Sequence, residues 1–555
     1  MMNQYSKNSQ SKKFPAITMM VFMICVSCLI KAQKSKINIP SSSKQVIHGR
    51  IIDETGNPLI AQVQVWYFDI QDVVFSFDTT ETNGRTDNLI TVDYSNQNGY
   101  YSVRVPSDTV LFIVTKGPEW ELIYKKMIIN PREFDGIEYN VAIKRLYDLG
   151  SLGWYGGDTH MHSIHSDGRQ SPSELVHTMK GVGLTWGILT DHNSISGKKE
   201  WLAEGQSDFI PILGAEITTE ASETSIENGY GHFNQTFITE LSGITANPNI
   251  WARAIFNDHT NVQNSIDLTH AHGGLLIINH PYQNWDWAGR FKSWGEVKNF
   301  DGIEIWNCEP PHSLTTSTFD PNLMNRNTLG VQSWFAYLNS GKKLSGLAGS
   351  DTHDAYGTNA YPKGKYFWNT MAGNPRTYAF MEDFNELQLK EAIKHGRLFL
   401  TSGFGPILLV TAGGETQGNI IRVEKDEKLD VAIEVLANHP LLNSDDAVRI
   451  IYNGKIIKSF STEGSIIFEK SIPLNIIEDG WIVVEAFGEW PMFAMTNPIF
   501  VDVPPFGDWP IEEWVEPENL KLWNKYMEQP EITIPDGPSN WENSQYIYKL
   551  FDEIN

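Results

Sequence analysis

Apolar and polar positions change rhythm several times along this chain, and each change predicts a different kind of element. Lys7, Lys12 and Lys13 precede an apolar run from about Ala16 to Ile30, followed by Lys31-Ala32-Gln33 and a polar linker that includes Ser41-Ser42-Ser43. Short alternating runs then extend to about Leu146. Val46–Ile52 leads into the turn Asp53-Glu54-Thr55-Gly56-Asn57-Pro58, Val63, Val65 and Tyr67 mark the next run, and Asn98-Gly99 opens Tyr101–Val105. Period-two runs punctuated by Gly, Asn and Pro predict a small antiparallel β-sandwich over 33–147.

From about Asp148 the texture becomes that of βα units. Apolar runs at Trp154–Thr159, Leu184–Thr190, Phe209–Glu216, His232–Ile238, Leu275–Asn279, Gly302–Trp306 and Leu344–Gly349 alternate with helical stretches. One helix is well signalled: Ser171 and Glu174 form a capping box, Pro172 takes the first position, and Leu175, Val176, Met179 and Val182 share a face. Strands and helices in alternation predict an α/β fold with a mainly parallel sheet, a (β/α) barrel over 148–404 that is one strand short of the usual eight. A C-terminal β-domain follows over 405–503, with a hairpin turn at Asn453-Gly454, and then a Trp-rich tail over 504–555 that reads as surface packing.

Charge and cysteine content narrow the classes. Lys and Arg number 43 against 67 Asp and Glu, a formal charge of −24, which excludes a general nucleic-acid binder because such proteins need a basic footprint. Cys25 and Cys28 lie in the N-terminal segment, so a processed chain keeps only Cys308 and can build neither a disulfide framework nor a thiolate zinc site. The basic start, the apolar run and Ala32 predict a signal peptide over 1–32, with lipid attachment at Cys28 as the alternative to cleavage. Either places the mature chain outside the cytoplasm, in the periplasm or cell envelope. No later segment reaches about 18 uninterrupted apolar residues, so no transmembrane span is expected in the mature chain.

Candidate chemistry concentrates at strand ends. Of the fifteen histidines, twelve lie between His160 and His353. The first strand ends Asp158-Thr159-His160-Met161-His162, with Asp167 just beyond, and the second ends Asp191-His192-Asn193. The third ends at Glu216, the fourth begins Gly231-His232, the fifth ends Asn279-His280 and the seventh ends Asp351-Thr352-His353. Residues two apart in a strand face the same way, so His160 with His162, and Asp351 with His353, point together. The C-terminal mouth is where such barrels build active sites, and imidazoles with carboxylates suit zinc, manganese or iron. His270-Ala271-His272 has the same spacing but precedes Gly273-Gly274, where a helix should end, and reads as helix-terminal charge. Asp167 fits the pattern better than its neighbour His165.

The strings "DTHMHSIHSDG", "TDHN", "GAE", "GHFN", "GGLLIINHP" and "GSDTH", in that order, resemble the PHP (polymerase and histidinol phosphatase) superfamily. "PRTYAF", "AIKHGRLFLTSGFGP" and "NPIF" are similar to its exported, carbaryl-hydrolase-like branch, and the likeness spans roughly 150–503. "GRIIDETGNPLIAQVQV" with "NQNGYYSVRVP" resembles the carboxypeptidase-regulatory-like β-sandwich, which implies a packing module rather than a catalytic one. The PHP resemblance implies a distorted (β/α)7 barrel with two or three divalent ions. Carried over by position, it places one ion on His160, His162, Glu216 and Asp351, a second on Glu216, His232 and His280, and a third on Asp167, His192 and His353.

Clustered divalent ions would bring a shared water toward a pKa of about 7 for attack on phosphorus or a carbonyl carbon. The expected activity is an exported metal-dependent hydrolase of small-molecule esters, foremost a phosphoesterase. Carbamate or carboxyl ester hydrolysis is the alternative, and a non-catalytic envelope-binding module with structural metal is the second. Asp191 and Asn193 are placed to orient His192 or the substrate, with a turn role as the equal alternative for Asp191. Arg290 and Arg376 are the candidate cations for a phosphate. A pocket of Trp285, Trp287 and Trp306 would instead favour aromatic esters, and the insertion from Trp285 to Asn299 could form a wall over the mouth. The amidohydrolase reading, which also begins with His-x-His, wants a lysine that "GHFNQTFI" lacks.

Overall fold

The computed structural model describes residues 45–67, 89–130, 136–220, 229–243, 254–256, 258–282, 290–308, 311, 326–356, 371–488, 492–507, 509–511, 513–515 and 517. The expected leader over 1–32 with Cys25 and Cys28, and residues Trp285, Trp287, Trp523 and Trp541, lie outside them.

Alternation builds the N-terminal part. Gln45–Asp53 and Tyr100–Val105 pair antiparallel and bury every second residue, while Gln62–Tyr67, Leu89–Tyr94, Thr109–Thr115 and Ile123–Ile128 form a second sheet. Ile47, Ile51, Val63, Val65, Val103, Val105, Phe112 and Val114 fill the space between them. The second sheet also abuts the chain that follows the seventh strand. The Tyr94 hydroxyl donates to Ala355 O (3.0 Å), and the Gln62 amide reaches Met371 Sδ.

All seven expected strands of the central part form, as Trp154–Asp158, Trp186–Leu189, Ile210–Glu220, His232–Thr236, Leu275–Ile278, Gly302–Asn307 and Ser345–Gly349. They lie side by side in chain order. The fold is mixed α/β, with one departure from the expected βα alternation. The fourth strand runs antiparallel to both the third and the fifth, whereas the other neighbouring pairs are parallel. A single parallel bridge, Met161 to Thr352, joins the end of the seventh strand to that of the first. The Pro172–Gly181 helix has the expected capping box between Ser171 and Glu174. Among the described residues, no helix is long and apolar enough to cross a membrane.

The C-terminal β region shares this sheet rather than standing apart. Arg376–Phe380 pairs antiparallel with the first strand, and the path continues through Leu398–Thr401, Phe493–Thr496, Gly480–Phe487, Val448–Tyr452 and Lys455–Phe460. Asn497, within "NPIF", closes the exposed edge of the seventh strand. Its amide oxygen accepts from Gly346 N (2.9 Å) and its nitrogen donates to Gly346 O (2.8 Å), in the manner of a neighbouring strand. In the tail, Trp509 Nε1 donates to Gly480 O and Trp514 packs edge-on to Phe300.

Truncating Asn497 strands a buried donor and a buried acceptor. Asn497→Ala should cost about 2–6 kcal/mol, from about 1–3 for each of the two unpaired groups, read as a lowered thermal midpoint. Asn497→Asp, which sets a buried carboxylate oxygen against Gly346 O, should cost at least as much.

Candidate metal centre

The geometry of the strand ends explains how separate motifs meet. The first strand ends at Asp158, and the chain beyond it bends at Thr159 and then runs beside the end of the seventh strand. Asp351 N donates to His160 O (2.9 Å) and His162 N to Thr352 O (3.0 Å), so the His-x-His and Asp-x-His pairs lie side by side. His192 and Glu216 are bridged in the same way between the second and third strands. Because the fourth strand is reversed, its first residue, His232, reaches the mouth where the other strands end. His280 (φ 24°) and Asp351 (φ 53°) adopt left-handed backbone, a cost that sites bear to aim a side chain.

The structure brings all nine candidate ligands together. Glu216 is the hub. Its Oε1 lies 3.0 Å from His280 Nε2, 3.1 Å from His232 Nδ1 and 3.4 Å from His160 Nε2, and its Oε2 lies 2.9 Å from His192 Nδ1 and 3.5 Å from His162 Nε2. Asp351 Oδ1 stands 3.1 Å from His162 Nε2, 3.4 Å from His160 Nε2 and 3.7 Å from His353 Nδ1. Asp167 approaches His353 Nε2 (3.3 Å), His192 Nε2 (3.6 Å) and His162 Nδ1 (3.8 Å). Four groups converge closely enough to hold an ion: His162 with Asp167, His192 and His353; His160 with His162 and Glu216; His192 with Glu216 and His232; and His160 with His280 and Glu304, a carboxylate outside the nine candidates. The His160 and His162 side chains are fully buried, whereas those of Asp167 and His353 are 17% and 15% exposed, so the centre opens on that side.

The donor set fits divalent ions. His160 Nε2 and His162 Nε2 face each other at 3.2 Å, and His232 Nε2 is buried with no partner. Facing lone pairs in a buried site cost free energy unless cations or protons lie among them. Nitrogen and carboxylate donors without thiolate suit zinc, manganese or iron.

Electrostatics point the same way. Burial, aided by neighbouring His353 and His192, pushes His162 down to about 3, and burial outweighs the Glu216 charge to take His232 to about 4. Burial opposes ionisation of Glu216 and Asp351 too, but the surrounding imidazoles, His160 foremost, hold both carboxyls well below their usual range. His353 moves upward, since the Asp167 hydrogen bond and the Asp351 charge overcome burial and raise it to about 9.

The remaining candidates divide. Asp191 holds a loop: its carboxylate accepts from Ser163 N and Oγ (2.7 Å each) and Ser166 Oγ (2.8 Å). Asn193 exchanges two hydrogen bonds with the Thr218 backbone, and Thr218 Oγ1 lies 2.6 Å from His192 Nδ1, so Asn193 acts on His192 through Thr218. Gly231, next to His232, packs against the backbone of Phe291 and Arg290, which brings the Arg290 backbone near the fourth strand's start. Arg376 is not brought to the mouth. It is 1% exposed and its guanidinium donates to Gly373 O (2.9 Å) and Val182 O (2.8 Å), tying the end of the Pro172–Gly181 helix. Trp306 is no pocket wall either, being buried against Phe493. The described part of the 285–299 insertion sends Phe291, Trp294 and Val297 into the core and leaves Glu296, Lys298 and Asn299 exposed. His165 pairs with Glu200, His270 with Asp301 and His272 with Ser242, all outside the cluster.

Sequence reasoning missed Glu304, Asn279, Asn307 and Asp158. Asn279 Nδ2 donates to Glu216 Oε1 (2.9 Å). Asp158 accepts from Ser350 N (3.0 Å) and Gly373 N (2.7 Å), and burial lifts it to about 6. Glu304 could have been found, as a lone carboxylate in the otherwise uncharged run Gly302-Ile303-Glu304-Ile305-Trp306.

Fold and site together define a mixed α/β protein with a buried centre of the multi-histidine, metal-binding type. The chain is similar to a two-domain protein from Bacteroides vulgatus containing a predicted PHP-like metal-dependent phosphoesterase, at 16% identity over 62% of this chain and 95% of that one, with a TM-score of 0.32. It is also similar to a protein from Bifidobacterium adolescentis described as a metal-dependent phosphoesterase (16% identity, 38% of this chain and 88% of that one, TM-score 0.24). A third similarity is to an amidohydrolase from Chromobacterium violaceum with bound sulfate and no metal (15% identity, 36% and 87%, TM-score 0.23). No protein-family model matches the chain, and no curated protein matches it.

Metal uptake should expel protons. An ion on His353 displaces a proton held up to about 9, against an ordinary 6.5, so affinity should climb with pH across that interval and level off above it. Calorimetric titration with zinc in buffers of different ionisation heat reads the release, and uptake at pH 7 without it would contradict this arrangement.

Proposed function

We propose that this chain is an exported, multinuclear metal-dependent hydrolase, foremost a phosphoesterase, of the PHP type and its carbaryl-hydrolase-like branch. The observation that carries the reading is the convergence of His160, His162, Asp167, His192, Glu216, His232, His280, Asp351 and His353, from six strand ends, on one buried space. A structural clasp needs about four ligands in a closed shell, and this set exceeds that and opens to one side. We further propose a distorted seven-stranded (β/α) barrel over 148–404, flanked by a packing sandwich over 33–147 and β structure over 405–503. Export is supported by the leader-like 1–32 segment.

Divalent ions held here supply a water of lowered pKa and positive charge for the developing oxyanion. The residues of the chain do the rest. Glu216 and Asp351, kept ionised by the imidazoles around them, hold the histidine nitrogens in a common orientation. The buried face made by His160, His162 and Glu304 excludes bulk water from below, so substrate enters past Asp167, His192 and His353. Asp167 and His353 form the most exposed pair of the set, so the ion they would hold lies on the side from which substrate approaches. Arg290, whose backbone lies near the fourth strand's start, is the side chain suited to a phosphate oxygen. Trp306, one of the three tryptophans suited to an aromatic ester, is turned into the core, while Trp285 and Trp287 lie outside the described residues.

The test uses residues 33–555 as wild type and as His160→Ala, Glu216→Ala and Asp351→Ala. Elemental analysis should find two or three transition-metal ions per wild-type chain. Each variant should lose more than about a hundredfold in turnover, beyond what a partner outside the ligand sphere costs. Phosphomonoester, phosphodiester and aryl ester substrates separate the activities. At most one ion and no turnover on any ester, even after reloading with zinc or manganese, would sink the reading and favour a binding module.

A further inference from the structure

The sixth strand contributes none of the nine ligand positions, yet its Glu304 carboxylate lies against two of them and reaches a third through Asn307. Glu304 is 2% exposed. Its Oε1 lies 3.0 Å from His160 Nδ1, and its Oε2 accepts from the His280 backbone N–H (3.0 Å) and from Asn307 Nδ2 (3.0 Å). Asn307 Nδ2 is also 3.3 Å from Asp351 Oδ2. One carboxylate thus connects His160 on the first strand, His280 on the fifth and Asp351 on the seventh.

Two local features put it there. Pairing with the seventh strand slips between Glu304 and Trp306. In an unbroken strand those two residues share a face. The irregularity separates them, turning Trp306 onto Phe493 (5.3 Å) and Glu304 into the site, as bulges near active sites do. Opposite, a Cβ on Gly349 would stand 2.6 Å from Glu304 Oε1 and 2.6 Å from His160 Cβ, so glycine is needed for this approach.

We propose that Glu304 is a positioning residue of the centre: it holds His160 as the Nδ1–H tautomer and anchors the His280 and Asp351 segments without itself binding an ion. The proposal rests on the metal-hydrolase reading. His160 Nε2 faces Glu216 Oε1 (3.4 Å), Asp351 Oδ1 (3.4 Å) and His162 Nε2 (3.2 Å). A neutral imidazole that offers its Nε2 lone pair in that direction must carry its proton on Nδ1, and a carboxylate is the partner that fixes this choice. Glu304 Oε2 already serves two N–H donors, one of them a backbone amide that cannot yield its proton, so that oxygen is committed.

Glu304→Gln discriminates. If the amide oxygen accepts from His160 Nδ1–H, its NH2 confronts the His280 N–H and the Asn307 NH2. Flipped, it forces the opposite His160 tautomer. With the full chain, zinc affinity measured by chelator competition should fall about ten- to hundredfold for one ion. Stoichiometry should recover at saturating zinc, and the ion on His162, Asp167, His192 and His353, none of which Glu304 touches, should keep its wild-type affinity. Equal affinities in wild type and variant overturn the proposal. An ion permanently missing at saturating zinc also overturns it, by making Glu304 a ligand. Should the variant not fold, ¹⁵N-histidine spectra of the zinc-loaded wild type decide: zinc on His160 Nε2 with a proton on Nδ1 supports the proposal, and zinc on Nδ1 overturns it. A wild type that binds no zinc, manganese or iron would overturn the hydrolase reading along with it, a result distinct from the others.

Discussion

A buried carboxylate encircled by imidazoles is the constraint on which this structure depends. Glu216 is 1% exposed and meets five histidines from four other strand ends. Alone, a buried carboxylate would take up a proton. The histidines keep it ionised, and it in turn draws their rings inward. Neither side is stable in the interior without the other, so the strand ends must arrive in a fixed arrangement. The third strand carries Glu216, and the chain around it is organised to bring partners to one oxygen or the other.

That arrangement needs departures from regular geometry. The fourth strand reverses, which lets His232 begin a strand and still stand among residues that end theirs. His280 and Asp351 take left-handed backbone, and the sixth strand slips register at Glu304. The left-handed residues cost stability locally, and each departure coincides with a side chain that the centre uses. Around them the packing is conventional: all residues of the second, fourth, fifth, sixth and seventh strands are buried.

The flanking β regions contribute more directly than their texture suggested. Tyr94 reaches Ala355, two residues from His353, so the N-terminal sheet steadies the chain behind a candidate ligand. Asn497 serves as a substitute strand for the seventh strand through Gly346. The C-terminal strands continue the central sheet from Arg376–Phe380 onward.

By itself the sequence determined the donor set and most of the elements. The capping box at Ser171 and the apolar runs are local signals that the local backbone obeys, whereas His160-Met161-His162 and Asp351-Thr352-His353 lie just beyond their strands and are set side by side by hydrogen bonds between the two segments. The tertiary structure alone decided which way the fourth strand runs, that Arg376 ties a helix end rather than facing a ligand, that Trp306 belongs to the core, and that Glu304 stands behind His160. These depend on partners far away in the chain: Val182 for Arg376, Phe493 for Trp306, and Gly349 with His160 for Glu304. A single run of residues encodes which groups can bond, but burial and approach distance, which decide whether they do, exist only once distant segments have packed.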